Sequence, residues 1–280
     1  MISKVTLENY MKYFLLENNK KFSKNTSITY KINLNQYLNF YDDKYNDLEN
    51  LIHYKMHLEE CYKPVTVKNK LRILHVYYAY LEKKKFVDIS PFKQTMFELP
   101  AEETKMRVLT EETLKILEDY MIKKMHTKNH YHRKLIIRNY AIIEIILITG
   151  IRLSELCCLK KTDINFDREQ ICITHNKKKR VLPLDSKCVF LIRSYLDVEE
   201  NNTSYLFSSR NKKLSERSVE FFLENISNEL DTDEKITPNI LRNTHIYYLL
   251  KNEKNLIMVK NRLNISISTV YRYYERLKNL

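Results

Sequence analysis

The run Ile146 to Leu159, ILITGIRLSELCCL, sets an arginine two residues after the chain's only glycine. Gly150 ends an isoleucine-rich apolar run, and a lone glycine there predicts a left-handed helix cap, since no other residue takes positive φ as freely. A second helix restarts with Glu155 in its first turn and with Leu153, Leu156 and Leu159 on one face. Arg152 is thereby fixed on a short turn between two buried helices. Its planar fork of donors suits a phosphate, and simple surface pairing with Glu155 is the competing reading. Two further stretches carry polar groups at notable spacing. In Thr237 to Leu250, TPNILRNTHIYYLL, Pro238 opens a helix and Arg242 falls about one turn in, beside Asn239 and Asn243 and three residues before His245. In Arg262 to Leu277, RLNISISTVYRYYERL, Tyr271, Tyr273 and Tyr274 crowd one short helix.

These stretches need elements to hold them. A longer apolar helix over 138–149 leads into the Arg152 turn, and a helix starting at Thr110 and Glu112 precedes it. From Gln170 to Leu184 the period becomes two, with Ile171 and Ile173, a basic turn from His175 through Lys177 to Arg180, then Val181 and Leu182. That predicts a hairpin with a cationic tip, which either meets phosphate or stays a solvated turn. Helices resume over 216–230, 238–250, 256–263 and 268–277.

The N-terminal part, from Val5 to about Lys85, reads as helices joined by polar turns. Ser23 or Asn25 can cap one carrying Ile28, Ile32, Leu34, Tyr37 and Leu38. Leu48, Leu51, Ile52 and Met56 mark a second, and Pro64 opens a third with Val67, Leu71, Ile73, Leu74, Tyr77 and Leu81 on its buried side. Pro91 and Pro100 bracket a stretch without period, and proline blocks helix continuation. The expected organisation is a helical domain over 1–88, a linker over 89–105 and a second domain over 106–280. The fold class is mainly α: an α-helical N-terminal domain plus a mixed, mostly helical C-terminal domain with a small β-hairpin or sheet.

Composition narrows the partner. The formal charge is +13, and Lys and Arg exceed Asp and Glu by 16 to 11 in residues 1–100 and by 32 to 24 in the rest. Both halves can therefore touch one polyanion, which rewards clustered cations by releasing counterions. A coding bias toward Lys, Asn, Ile and Tyr accounts for part of that excess. No stretch approaches the ~18 apolar residues of a membrane span, and no apolar leader opens the chain. The five cysteines, Cys61, Cys157, Cys158, Cys172 and Cys188, lack C-x-x-C spacing and suit free thiols in a reducing compartment. A cytoplasmic location is expected.

Together the motifs resemble the tyrosine recombinase (phage-integrase) family, most closely its short Xer-like members. T-G-I-R-L-S-E-L is similar to the family's first-arginine box, with Arg152 as the arginine and Glu155 in register. The hairpin ending K-K-K-R-V-L-P-L resembles its basic β-hairpin. T-P-N-I-L-R-N-T resembles its P-H-x-L-R-H-T box, with Arg242 as second arginine. L-N-I-S-I-S-T-V-Y-R-Y resembles its L-G-H-S-x-x-x-T-x-x-x-Y box with one residue deleted. The likeness covers residues 106–280, and the N-terminal half is similar to a core-binding domain in size and character alone. Departures are plain. Asn239 and Asn243 stand at the two histidine positions of the second box, Ile265 (or Asn264) stands at the third, and His175 occupies the hairpin lysine's column, with Lys177 or Lys178 two or three residues on.

The resemblance implies a site-specific recombinase that attacks a DNA phosphodiester with a tyrosine, forming a 3′-phosphotyrosyl link and releasing a 5′-hydroxyl. Arg152 and Arg242 would then stabilise charge on the non-bridging oxygens. Asn239 and His245 would stand beside them, and His175 or Lys177 would protonate the leaving oxygen. A phenol of pKa near ~10 needs a neighbouring cation or base to lose its proton. Tyr273 keeps the spacing after Thr269, and Tyr274 is reached by the ungapped alignment. On the helix Val270, Tyr274 and Leu277 form the expected buried stripe, leaving Tyr273 off the core. With 21 tyrosines in the chain, packing is the ordinary role of any one. No cofactor or metal is implied. The implied partner is double-stranded DNA with paired inverted half-sites, bound by a chain that is monomeric in solution, dimeric on each site and tetrameric in the synapse. A silent DNA-binding regulator on the same fold, a type IB topoisomerase-like enzyme and a helix-turn-helix reading of 265–274 are the alternatives.

Overall fold

A computed structural model describes residues 2–94, 106–127, 129–175, 178–200, 202–230, 232–253 and 255–277. The chain divides into two compact units, Met1–Glu103 and Thr104–Leu280.

The first unit holds α1 (Lys4–Asn18), α2 (Lys24–Phe40), α3 (Asp47–Cys61), α4 (Pro64–Lys83) and the short α5 (Pro91–Gln94). Side-chain caps start three of them: Ser3 accepts from the Thr6 N–H, Ser23 from Thr26, and Asn46 from Glu49. Each satisfies an orphan donor of the first turn, and Pro64 needs none at its own position. The core is built largely of leucine and tyrosine, including Leu7, Leu34, Tyr37, Tyr54, Tyr77 and Tyr78. Three of these phenols find partners, Tyr37 and Tyr78 sharing a 2.9 Å hydrogen bond and Tyr77 donating to the Leu7 carbonyl at 2.7 Å, while the Tyr54 hydroxyl is buried without one. Burial pushes these phenols up, so they stay protonated.

Two expectations need correction here. Ile28, Ile32, Ile52 and Met56 are exposed, while Tyr54 and Leu58 take the inward positions of α3. Residues 91–94 are helical rather than linker: Ser90 and Pro91 are buried, and Phe92 packs on the tyrosine core.

The second unit begins with α6 (Glu111–Met125) and α7 (His130–Thr149), which starts eight residues earlier than its apolar pattern. Helix α7 is the centre of this unit, packing on α6, α9 and α11, which is why ten of its residues are buried, Glu144 among them. A 2.9 Å ion pair with Lys187 accommodates that carboxylate. Helix α8 (Leu153–Cys157) leads into an antiparallel sheet, order β1-β2-β3, of β1 (Ile164–Asn165), β2 (Gln170–His175) and β3 (Lys178–Pro183). Ile171 faces Leu182 in register, and His175 faces Lys178 at the turn. Then follow α9 (Ser186–Asp197), the two-residue strands β4 (Ser208–Ser209) and β5 (Lys212–Lys213), α10 (Glu216–Glu229), α11 (Pro238–Asn252), α12 (Leu256–Leu263) and α13 (Ile267–Leu277). The mainly helical class with a small sheet is the observed one. Among the described residues, no helix is long and apolar enough to cross a membrane.

Candidate active site

Gly150 caps α7 at φ 59°, donating its N–H to Ile146 O at 2.9 Å. The left-handed turn reverses the chain and delivers Arg152 as the extended residue before α8. A Cβ at position 150 would come within 2.4 Å of His245 Cδ2. Gly150→Ala therefore meets both a strained backbone and a packed ring. We expect a loss of about 1–2 kcal/mol from φ alone, seen as a lower Tm, plus a larger loss from the clash.

Glu155 organises the turn. Its side chain is 1% exposed and takes the Arg152 N–H at 3.0 Å, Arg152 Nη1 at 3.1 Å, and Arg180 Nη2 at 2.6 Å. Burial alone would raise this carboxyl, but the bonds from Arg180 and from the Arg152 N–H hold it below the usual carboxylate value. Both guanidiniums are thus set by one buried anion, as the fork geometry favours. The remaining Arg152 Nη2 donates to Asn264 O at 3.1 Å. Asn264 can offer that carbonyl because it ends α12 in the left-handed conformation, φ 49°.

Arg242 lies one turn into α11, started by Thr237 and Pro238. It is 8% exposed, and Nη1 donates to Gly150 O. Burial, then the charge of Arg152, brings its pKa down to about 10, so it remains a cation at neutral pH. The two arginines thus tie three segments together: the α7–α8 turn, α11, and the α12–α13 junction.

A cavity of about 1140 Å³ opens over this junction. Arg152, Lys178, Lys179, Arg180, Arg242, Lys260, Arg262 and Tyr273 line it, with no acidic residue among the described lining. Tyr273 lies close enough to Arg242 for the phenolate charge to raise that arginine's pKa. So many cations around a phenol make an arrangement that can attract and hold a phosphate group.

The other expected site residues are distributed unevenly. Asn239 is exposed and lines an adjoining groove with Asn243, Arg242 and Tyr273. His175 ends β2 beside the cavity-lining Lys178, and Lys177 lies outside the described residues. His245 is not on the cavity: it packs beneath Gly150, with Nδ1 2.8 Å from Leu147 O, and burial pushes its pKa down to about 4. The α13 stripe is corrected. Val270 is fully buried, with Tyr273 and Leu277 packed on the same cluster, whereas Tyr274 is 40% exposed. Tyr273 therefore sits at the edge of the core with the cavity on its other side. Lys260 and Arg262 were not assigned a role from sequence, and Arg180 was read only as the end of the basic turn. For Arg180 a signal existed, since period two puts it on the buried Leu182 face of β3.

The phage integrase family model matches residues 107–279, more than half of the chain. The chain belongs to the phage integrase family. A tyrosine recombinase of Agathobacter rectalis is 29% identical over 95% of this chain and 91% of its own length. The Tn1549 transposon integrase in complex with circular intermediate DNA shares the fold at TM-score 0.77 and 16% identity, over 95% of this chain and 93% of that one. XerH site-specific recombinase bound to palindromic difH substrate does so at TM-score 0.73 and 19% identity, over the whole of this chain and 83% of that one. As a phage integrase family member, the chain carries its two arginines and Tyr273 within the matched span.

Proposed function

We propose that this chain is a site-specific DNA recombinase that cleaves and rejoins duplex DNA through a 3′-phosphotyrosyl bond on Tyr273. The observation that carries this reading is Tyr273 lining the same cationic cavity as Arg152 and Arg242. The Tyr273 oxygen, its proton lost to water, bonds to the phosphorus while the bond to the 5′-oxygen breaks. The leaving oxygen takes a proton from the hairpin tip, where His175, Lys177 and Lys178 are the candidates. Arg152 and Arg242 take up charge on the two non-bridging oxygens, fixed beforehand by Glu155, Asn264 and Gly150. The covalent link keeps the diester energy, so rejoining is the same step reversed with a new 5′-hydroxyl. Asn239, exposed next to Arg242, would donate to the DNA backbone rather than to the reacting atoms.

The first unit would act as the core DNA-binding domain and the second as the catalytic one. The expected partner is double-stranded DNA with paired inverted half-sites, met by a dimer per site and a tetramer in the synapse, in the cytoplasm. The named relatives support this: a tyrosine recombinase covers most of the chain, and a fold neighbour is described as bound to a palindromic substrate. The test is a nicked suicide duplex, with the trapped covalent protein digested and the labelled peptide mapped. A peptide from α13 supports the reading. A cognate site that is bound and never gives an adduct leaves a DNA-binding regulator instead.

Charge supplies a separate prediction. Duplex affinity should fall by roughly tenfold or more for every few phosphates neutralised as salt rises from about 50 to about 200 mM. Fluorescence anisotropy over a salt series measures the slope. A flat line would remove nucleic acid as the partner.

A further inference from the structure

Arg262, in the last turn of α12, lines the Tyr273 cavity, and its Nε is buried with no hydrogen-bond partner. The other arginines of the cavity have their terminal nitrogens committed, Arg180 to Glu155, Arg152 to Glu155 and Asn264 O, and Arg242 to Gly150 O, although the Arg180 Nε is likewise buried without a partner. A buried donor without an acceptor is costly, and natural structures rarely leave one without a reason.

His245, whose ring reaches Gly150 as Leu263 does, carries the matching defect. Leu147 O can only accept, so the His245 Nδ1 beside it bears the hydrogen and Nε2 is left as a bare acceptor. That Nε2 is also buried and without a partner. His245 lies near enough to Arg262 for the guanidinium to help hold the imidazole neutral, after the larger effect of burial. An orphan N–H donor and an orphan nitrogen acceptor thus belong to residues that meet at one turn, since the His245 ring and Leu263, next to Arg262, both reach Gly150. One hydrogen bond, direct or through a water, satisfies both and leaves the terminal Nη groups of Arg262 for the cavity.

We propose that Arg262 is a third cation on the reacting phosphate and that His245 is its positioning residue. The proposal rests on the recombinase reading above and deepens it. Ile265 stands in this cavity where the resemblance implies an imidazole, and Arg262 from α12 supplies a cation to the same cavity. His245, buried and neutral, acts through Arg262 rather than on substrate.

The test uses the full chain, a nicked suicide duplex, and a second duplex whose scissile phosphate is a methylphosphonate, which lacks one negative oxygen. Arg262→Ala should slow single-turnover cleavage by roughly a hundredfold on the natural phosphate, the scale of losing one preorganised donor. Duplex affinity should stay within about threefold, because many other phosphate contacts share it. On the methylphosphonate the gap to the parent chain should shrink by roughly tenfold or more, because the charge it neutralised is gone. Equal gaps on both substrates, or binding and cleavage falling together, would overturn the assignment. His245→Gln should slow cleavage in the parent chain and cost nothing further in Arg262→Ala, because interacting residues fail to add. Additive losses would make His245 ordinary packing. An adduct that persists in Tyr273→Phe refutes the nucleophile assignment itself, an outcome these ratios cannot mimic.

Discussion

Tyr273→Phe is expected to bind duplex DNA as the parent chain does and to form no covalent adduct, whereas Tyr274→Phe still cleaves. The substitution removes one oxygen and keeps the ring, so the contact of residue 273 with the Val270–Leu277 cluster survives. Cavity formation therefore cannot account for a loss of activity. Successive helical residues point about 100° apart, so only one of the two phenols can face Arg152 and Arg242. That one is Tyr273, which lines the cationic cavity while Tyr274 is 40% exposed outside it. Tyrosines of the helical core cannot substitute. Tyr37, Tyr77 and Tyr78 are buried, hydrogen-bonded and pushed well above the ordinary phenol value. The adduct is read as a gel-shifted species on a nicked duplex. An adduct in Tyr273→Phe that disappears in Tyr274→Phe would move the nucleophile by one residue.

The turn that presents Arg152 was legible because it depends on one residue type. Gly150 alone fits a left-handed cap pressed against a ring, and a single glycine in a chain of this length leaves little choice of position. The hairpin was legible for a similar reason, since strict period two fixes which residues face inward. The facing of α13 was not. Val270 is its one buried residue among those described, so the helix has a narrow contact, and i+3 and i+4 both satisfy such a stripe. Tyrosine is apolar enough for either side. Helix α2 misled for a related reason: Ile28 and Ile32 look like core but remain exposed, while Tyr37 takes the inward place. Least visible was the Arg152–Glu155–Arg180 group. Its third member arrives from 25 residues away on a strand, and no local period encodes a contact of that separation. The same holds for Arg262, whose helix packs on α11 and β3.

Arg152→Ala and Arg242→Ala should each lower single-turnover cleavage by roughly a hundredfold or more, the scale of losing one transition-state donor. Arg152 gives the cleaner experiment. Its side chain is about one-third exposed, and Glu155 keeps Arg180 when Arg152 is truncated, so no buried carboxylate is left without a cation. Arg152→Lys should be poor as well, because an ammonium cannot hold Glu155 and Asn264 O while also presenting two parallel donors to a phosphate. Arg242 is different, since its guanidinium also holds Gly150 O and is almost wholly buried. Its truncation should lower Tm as well as the rate, whereas Arg152→Ala should lower the rate with little change in Tm. Duplex affinity should change by only a few-fold in Arg152→Ala, because binding is spread over many phosphates and cleavage depends on one. If affinity and cleavage instead fall in proportion, Arg152 contacts the DNA backbone and takes no part in the reaction.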